Sequence, residues 1–218
     1  CSDSLVTRAR NNLIARAMSD PEMTHVLFID ADITWNPQDI LKLLLANTYI
    51  VGGVYPLKKY NWNKFINDPN VVSKWVDTQQ GSDIFQNYSP ERFLQHKLLD
   101  YNVTHKSSEL TIENNLTEVK HIACGFMMIK RETLELLQKA FPSTKYTDDV
   151  SFLKGDQQNH AYALFDCGVE NGQYLSEDWM FCSRWEKLGG KIFIDITVNL
   201  SHTGVEHYHG SFLSSVIS

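Results

Sequence analysis

The chain has no apolar run approaching the roughly 20 residues that a bilayer-spanning helix requires, so no membrane segment is expected within it. It also has no excess of positive charge. Twenty Lys and Arg stand against 26 Asp and Glu, giving a net charge of -6. That balance argues against nucleic acid as a partner, because a phosphate-binding surface needs clustered cations. Cysteines are few (Cys1, Cys124, Cys167, Cys182), and none forms a CxxC or other zinc-type spacing. Free thiols in a reducing compartment are therefore expected, favouring a cytoplasmic over a secretory setting. Four Asn-x-Ser/Thr triplets, at Asn87, Asn102, Asn115 and Asn199, pull the other way. No repeat of fixed period and no linker interrupts the 218 residues, which read as a single domain with a full core. The start at Cys1, almost directly before a helix, reads as a fragment or processed chain with an upstream piece missing.

What is present is an alternation of helix and strand. Asp3 or Ser4 is expected to cap a helix from about Leu5 to Met18, stopped near Asp20-Pro21. His25–Ile29 reads as a short buried strand that ends at Asp30-Ala31-Asp32. Asn36-Pro37 supplies a cap and a first-turn proline for a helix to about Asn47, and a strand from Tyr49 to Tyr55 follows. From Lys59 to about Glu118 the pattern dissolves into a polar stretch with scattered aromatics, including Trp62 and Trp75. It reads as loops and short helices over the sheet, an insertion or acceptor platform. Order returns with a strand at Val119–Lys130 broken by Cys124-Gly125, and a helix from Glu132 to about Ala140. A helix from Trp179 to Leu188 capped by Ser176, a last strand at Lys191–Val198 and a tail with His202, His207 and His209 complete the chain. This predicts an α/β fold, a central mixed but mostly parallel sheet flanked by helices.

Two features point to chemistry. Residues two apart in an extended strand face the same side, so Asp30 and Asp32 at the end of a buried strand are expected to converge. Two converging carboxylates repel unless a cation lies between them, and oxygen ligands of this kind suit Mg²⁺ or Mn²⁺ holding a diphosphate. The plainer reading is one capping and one solvated Asp at a turn. On the first helix, Val6, Arg10, Leu13 and Ala17 fall on one face, which sets a guanidinium among apolar neighbours. Arg10 then needs an anion, either a structural carboxylate or a ligand phosphate or sugar. Arg8 and Asn11 form an adjacent polar ridge.

Four blocks carry a resemblance. Ala9-Arg10-Asn11 followed by Phe28-Ile29-Asp30-Ala31-Asp32 resembles the "ARN … flDxD" signature of GT-A glycosyltransferases. Gly125 to Arg131 resembles their "G-x-F-x-x-x-R-R" segment, and Ser176-Glu177-Asp178-Trp179 their "ED" motif. His202-Thr203-Gly204 is similar to the late histidine that completes their metal site. The order and spacing are similar to those of sugar transferases from phages and giant viruses, and more loosely to collagen hydroxylysine glycosyltransferases. The likeness covers most of the chain outside roughly Lys59–Glu118.

The resemblance implies a GT-A fold that lacks its first strand, and with it the usual base-binding loop. It implies Asp32 on Mn²⁺ or Mg²⁺, Asp30 on the cation, its water or the donor ribose, and His202 as the third ligand. Arg10 and Asn11 would lie beside the donor nucleotide; apart from the resemblance, Lys58 and Lys59 after the second strand read either as phosphate contacts or as a solvated pair. Glu177 or Asp178 would bind or deprotonate the acceptor hydroxyl. The implied donor is a UDP-hexose such as UDP-glucose. The implied acceptor is a glycan or glycoprotein, collagen-like by likeness alone, and the setting virus-associated or cytoplasmic. A homo-oligomer is left open, as is replacement of His202 by His207 or His209. Two rivals stand beside this reading. One is a haloacid-dehalogenase-type phosphatase with Asp30 as nucleophile and Asp32 as acid/base. The other is a non-catalytic carbohydrate-binding domain.

Overall fold

The computed structural model describes residues 4–68, 70, 73, 95–107 and 109–206. Asp3, Trp75, His207 and His209 lie outside the described residues.

Helix α1 spans Val6–Met18 with Leu5 at its N-cap and no side-chain cap, so the cap expected from Ser4 is not made. Its buried side runs through Arg10, Asn11, Ile14, Ala15 and Met18, while Val6 and Leu13 stay substantially exposed. The buried stripe is thus rotated from the expected face, and Arg10 sits at its edge. Strand β1 (His25–Ile29) follows, then a two-residue strand β2 (Ile33–Thr34). Helix α2 (Pro37–Ala46) has the cap its sequence announces. Gln38 N–H donates to Asn36 Oδ1 at 2.9 Å, and Asn36 N–H donates to Asp39 Oδ2 at 3.1 Å. Asn47 closes the helix in the left-handed region.

The remaining strands are β3 (Ile50–Gly52), β4 (Pro56–Tyr60), β5 (Leu99–Tyr101), β6 (Val103–His105), β7 (Ile112–Glu113), β8 (Leu116–Ile122), β9 (Phe126–Lys130), β10 (Gly168–Glu170), β11 (Gln173–Leu175), β12 (Ile192–Asp195) and β13 (Ser201–His202). The further helices are α3 (Asn63–Ile66), α4 (Arg131–Ala140) and α5 (Glu177–Lys187). The central sheet runs β1-β9-β3-β12-β8-β6, with β7 also on β8.

The sheet is mixed, but it is not mostly parallel as expected. Among the described residues only β3 and β12 pair in parallel, and every other pairing in this sheet is antiparallel. Only residues 123–125 connect β8 to β9, and β3 and β12 lie between them in the sheet. Accordingly, what read as one broken strand is two, in different parts of the sheet. Lys59–Glu118 also differs from expectation, since it contains β5, β6, β7 and parts of β4 and β8.

Side chains alternate between two cores, as the pleat requires. Ile50, Met127, Ile129, Ile192 and Ile194 meet α1, α4 and α5 on one face through Ile14, Leu134 and Phe181. Val51, Phe126, Met128 and Phe193 meet Leu43 of α2 on the other. Helices therefore cover both faces, and no helix among the described residues is long and apolar enough to cross a membrane.

Three local features aim the functional residues. The Asp195 carboxylate accepts from Thr197 N–H at 2.8 Å and from the Thr197 hydroxyl at 2.7 Å. This turn ends β12 earlier than expected and frees the chain to return as β13. There His202 pairs with Ile33 of β2. Gly189, at φ +77°, releases α5.

Candidate functional site

Two charged clusters form where β1 ends. Asp30 closes β1, and its N–H donates to Gly125 O at 3.0 Å. Ile33 N–H then donates back to Asp30 O at 3.1 Å, so residues 30–33 make a turn. The alternation rule of an extended strand stops there. Asp30 and Asp32 consequently reach different cations, and the expected single carboxylate pair is not formed.

In the first cluster the Arg10 guanidinium links two elements. Nη2 donates to Asp30 Oδ1 at 3.2 Å, and Nη1 donates to Glu177 Oε1 in the first turn of α5. The Arg10 side chain is 10% exposed and that of Glu177 15%. Its carbon stands 5.9 Å above the Phe28 ring. The anion that a buried arginine demanded is thus a pair of carboxylates from this chain. Beside it, Asp178 Oδ1 accepts from the Ser176 hydroxyl and from Trp179 N–H at 2.8 Å. Among the described residues, the hydrogen bonds to Asp178 fall on this one oxygen.

The second cluster gathers on Asp32. Lys58 Nζ donates to Asp32 Oδ2 at 2.6 Å, and His202 Nε2 lies 3.3 Å from the same oxygen. The Lys58 hydrogen bond is the main reason the Asp32 carboxyl is held below its ordinary range. His202 Nδ1 is 2.8 Å from Pro56 O. A carbonyl can only accept, so Nδ1 carries a proton, and Nε2 is the ring nitrogen that faces Asp32. Thr203 N–H donates to Asp32 O at 2.9 Å and fixes the chain on both sides of the contact.

Tyr55 joins the clusters, and sequence reasoning missed it. Its ring meets His202 edge-on, with centroids 5.1 Å apart. Burial, then the nearby charge of Asp30, pushes its phenol up to about 12. Gly125 is required by this contact, because an added Cβ would stand 2.5 Å from the Tyr55 ring. The Gly52-Gly53 strand leading into an aromatic was the available signal. Gly204 was quoted only as part of a motif, yet an added Cβ there would stand 2.8 Å from Lys58 Cδ.

Asn11 is not at either cluster. It is buried, donates to Phe165 O at 2.7 Å and accepts from Phe165 N–H at 2.9 Å. Those bonds tie one face of its amide to the Phe165 backbone within the core. The other expected residues do assemble: Arg10, Asp30 and Glu177 in one cluster with Asp178 adjoining, and Asp32, Lys58 and His202 in the other.

A cation would find two protein donors here, the Asp32 carboxylate and His202 Nε2. Among the described residues no group of three or more His, Cys, Asp or Glu is placed to hold a metal. The 3.3 Å between these donors is close to the about 3 Å separating neighbouring ligands of an octahedral ion with bonds of about 2.1 Å. The Nδ1–H bond to a backbone carbonyl is also the usual outer support of a metal-bound imidazole. One carboxylate and one imidazole are a partial donor set, which a cation would have to complete with water or a ligand.

No protein-family model matches the chain, and no curated protein matches it. A solved structure, the crystal structure of A197 from STIV, is similar over 93% of this chain and 70% of that one, at 16% sequence identity and a TM-score of 0.46.

Proposed function

We propose that this chain is a metal-dependent glycosyltransferase of GT-A type that moves a hexose from a nucleoside diphosphate sugar, a UDP-hexose by the resemblance, to a hydroxyl of a glycan or glycoprotein. The observation that carries the reading is the meeting of His202 Nε2 and Asp32 Oδ2, two cation donors from opposite ends of the chain, beside the Arg10-bound carboxylates. A bound Mn²⁺ or Mg²⁺ would neutralise charge developing on the leaving diphosphate.

The protein's own groups divide the remaining work. Lys58 contributes a second positive charge beside Asp32. Arg10 holds Asp30 and Glu177 in fixed orientation. Asp178, whose Oδ2 is clear of the bonds on Oδ1, takes the proton of the acceptor hydroxyl. The bond from the anomeric carbon to the diphosphate oxygen breaks, and one from that carbon to the acceptor oxygen forms. The nucleoside diphosphate leaves with the bonding electrons.

The phosphatase reading places its nucleophile at Asp30, but Oδ1 of that residue is tied to Arg10, and Lys58 serves Asp32 instead. That arrangement favours transfer. Calorimetric titration with a panel of nucleotide sugars, with and without Mn²⁺, tests the proposal. Binding that depends on the metal and disappears in Asp32→Asn and His202→Ala is expected. No metal-dependent binding of any donor would sink it.

A further inference from the structure

A cleft of 680 Å³ opens between strands β4 and β5 and the segment 199–206. Its size is that of a small-molecule site. Lys58 and His202, which hold Asp32, also line this cleft, so it adjoins the second cluster. Lys59 adds a further cation to the lining. Much of the rest is apolar, with Ile194, Ile196 and Val198, and the aromatic rings of Tyr60 and Tyr101 complete it. Tyr60 lies two residues beyond Lys58 on β4, about 7 Å along an extended strand. Arg10, Asp30, Glu177 and Asp178 are not part of the lining.

These placements give the cleft a direction. If the acceptor hydroxyl is activated at Glu177 and Asp178, the reacting carbon must lie toward them and the leaving group away from them. On that reading the cleft, which none of Arg10, Asp30, Glu177 and Asp178 lines, takes the leaving group. It offers cations for a diphosphate and an apolar, aromatic wall for a flat ring, which is the chemistry of a nucleoside diphosphate.

We infer that this cleft is the nucleoside diphosphate site, with the phosphates at Lys58 and the base against Tyr60 and Tyr101. The inference rests on the glycosyl-transfer reading, which the same experiment can fail separately.

The test compares UDP, GDP and CDP with inorganic pyrophosphate by calorimetry in the presence of Mn²⁺, using wild type, Tyr60→Ala, Tyr101→Ala and Ile196→Trp. Tyr101 is 40% exposed and Ile196 43% exposed, so the last two variants leave the folded core intact. In wild type the tightest nucleotide should bind at least roughly 10-fold better than pyrophosphate, since one base stack contributes on the order of 5- to 100-fold. Ile196→Trp should remove that advantage without changing pyrophosphate affinity, and each Tyr→Ala variant should reduce it. Nucleotide binding that is metal-dependent but unchanged in all three variants would overturn the cleft assignment and leave glycosyl transfer standing. Absence of nucleotide and pyrophosphate binding in wild type would overturn both.

Discussion

The Arg10 cluster and the Asp32 cluster contain the same kinds of group, yet they are built for different purposes. Arg10 and Glu177 have side chains 10% and 15% exposed and tie α1, the end of β1 and the start of α5 together. Lys58 and Asp32 are 41% and 44% exposed, and Lys58 holds Asp32 from a strand outside the central sheet. A buried ion pair locks geometry because removing one partner strands the other's charge. An exposed pair is worth little and is easily exchanged. The buried cluster therefore acts as a frame, while the exposed Lys58–Asp32 pair can part at little cost.

Breaking the frame should have the largest effect. Arg10→Met strands the Glu177 carboxylate, 15% exposed, while Asp30 at 41% keeps its water, and is expected to cost about 3 kcal/mol in chemical denaturation. A loss below about 1 kcal/mol would mean that water already screens the cluster. Next comes Asn11→Ala, which strands the Phe165 backbone N–H and C=O in the core. Roughly 1–3 kcal/mol should be lost, with metal binding by the folded protein unchanged. A specific loss of nucleotide affinity at unchanged stability would instead return Asn11 to the donor site. Gly125→Ala drives a methyl into Tyr55 and should cost about 1–3 kcal/mol.

The smallest stability effect is expected at the exposed cluster. Lys58→Gln removes the bond that depresses the Asp32 carboxyl, so its titration, followed by carboxyl-carbon NMR, should move upward. The sign follows from linkage. A depressed folded value stabilises the fold above the unfolded value, and that contribution disappears as pH falls through the folded one. In Lys58→Gln this acid-side loss should shrink, with a change at neutral pH within about 1 kcal/mol. An unmoved Asp32 titration would show that Lys58 is not its partner in solution.

These contrasts also explain what was legible in the sequence. Local chemistry was readable in part: Asn36-Pro37 formed its cap and His25–Ile29 its strand, while α5 begins at Glu177, two residues before the expected Trp179, and without the expected Ser176 side-chain cap because that hydroxyl bonds Asp178. Arg10 was rightly taken to need an anion, although the rotated face of α1 was misjudged because Val6 and Leu13 remain exposed. Long-range pairing was not readable. Nothing local says that β9 enters between β1 and β3, or that strands of two and three residues lie within Lys59–Glu118. Asp30 and Asp32 part because a turn begins between them, and the turn depends on tertiary pairing through Gly125 and His202. Nothing local announces the hydrogen-bond partner of Asn11, the Phe165 backbone, which is 154 positions away.

The most direct test of the whole account is pulsed EPR of bound Mn²⁺ with ¹⁵N-histidine-labelled protein. A histidine-nitrogen coupling is expected in wild type and in His202→Gln none, with Asp32→Asn weakening Mn²⁺ binding. A manganese signal without nitrogen coupling, or a coupling that survives loss of His202, would contradict it.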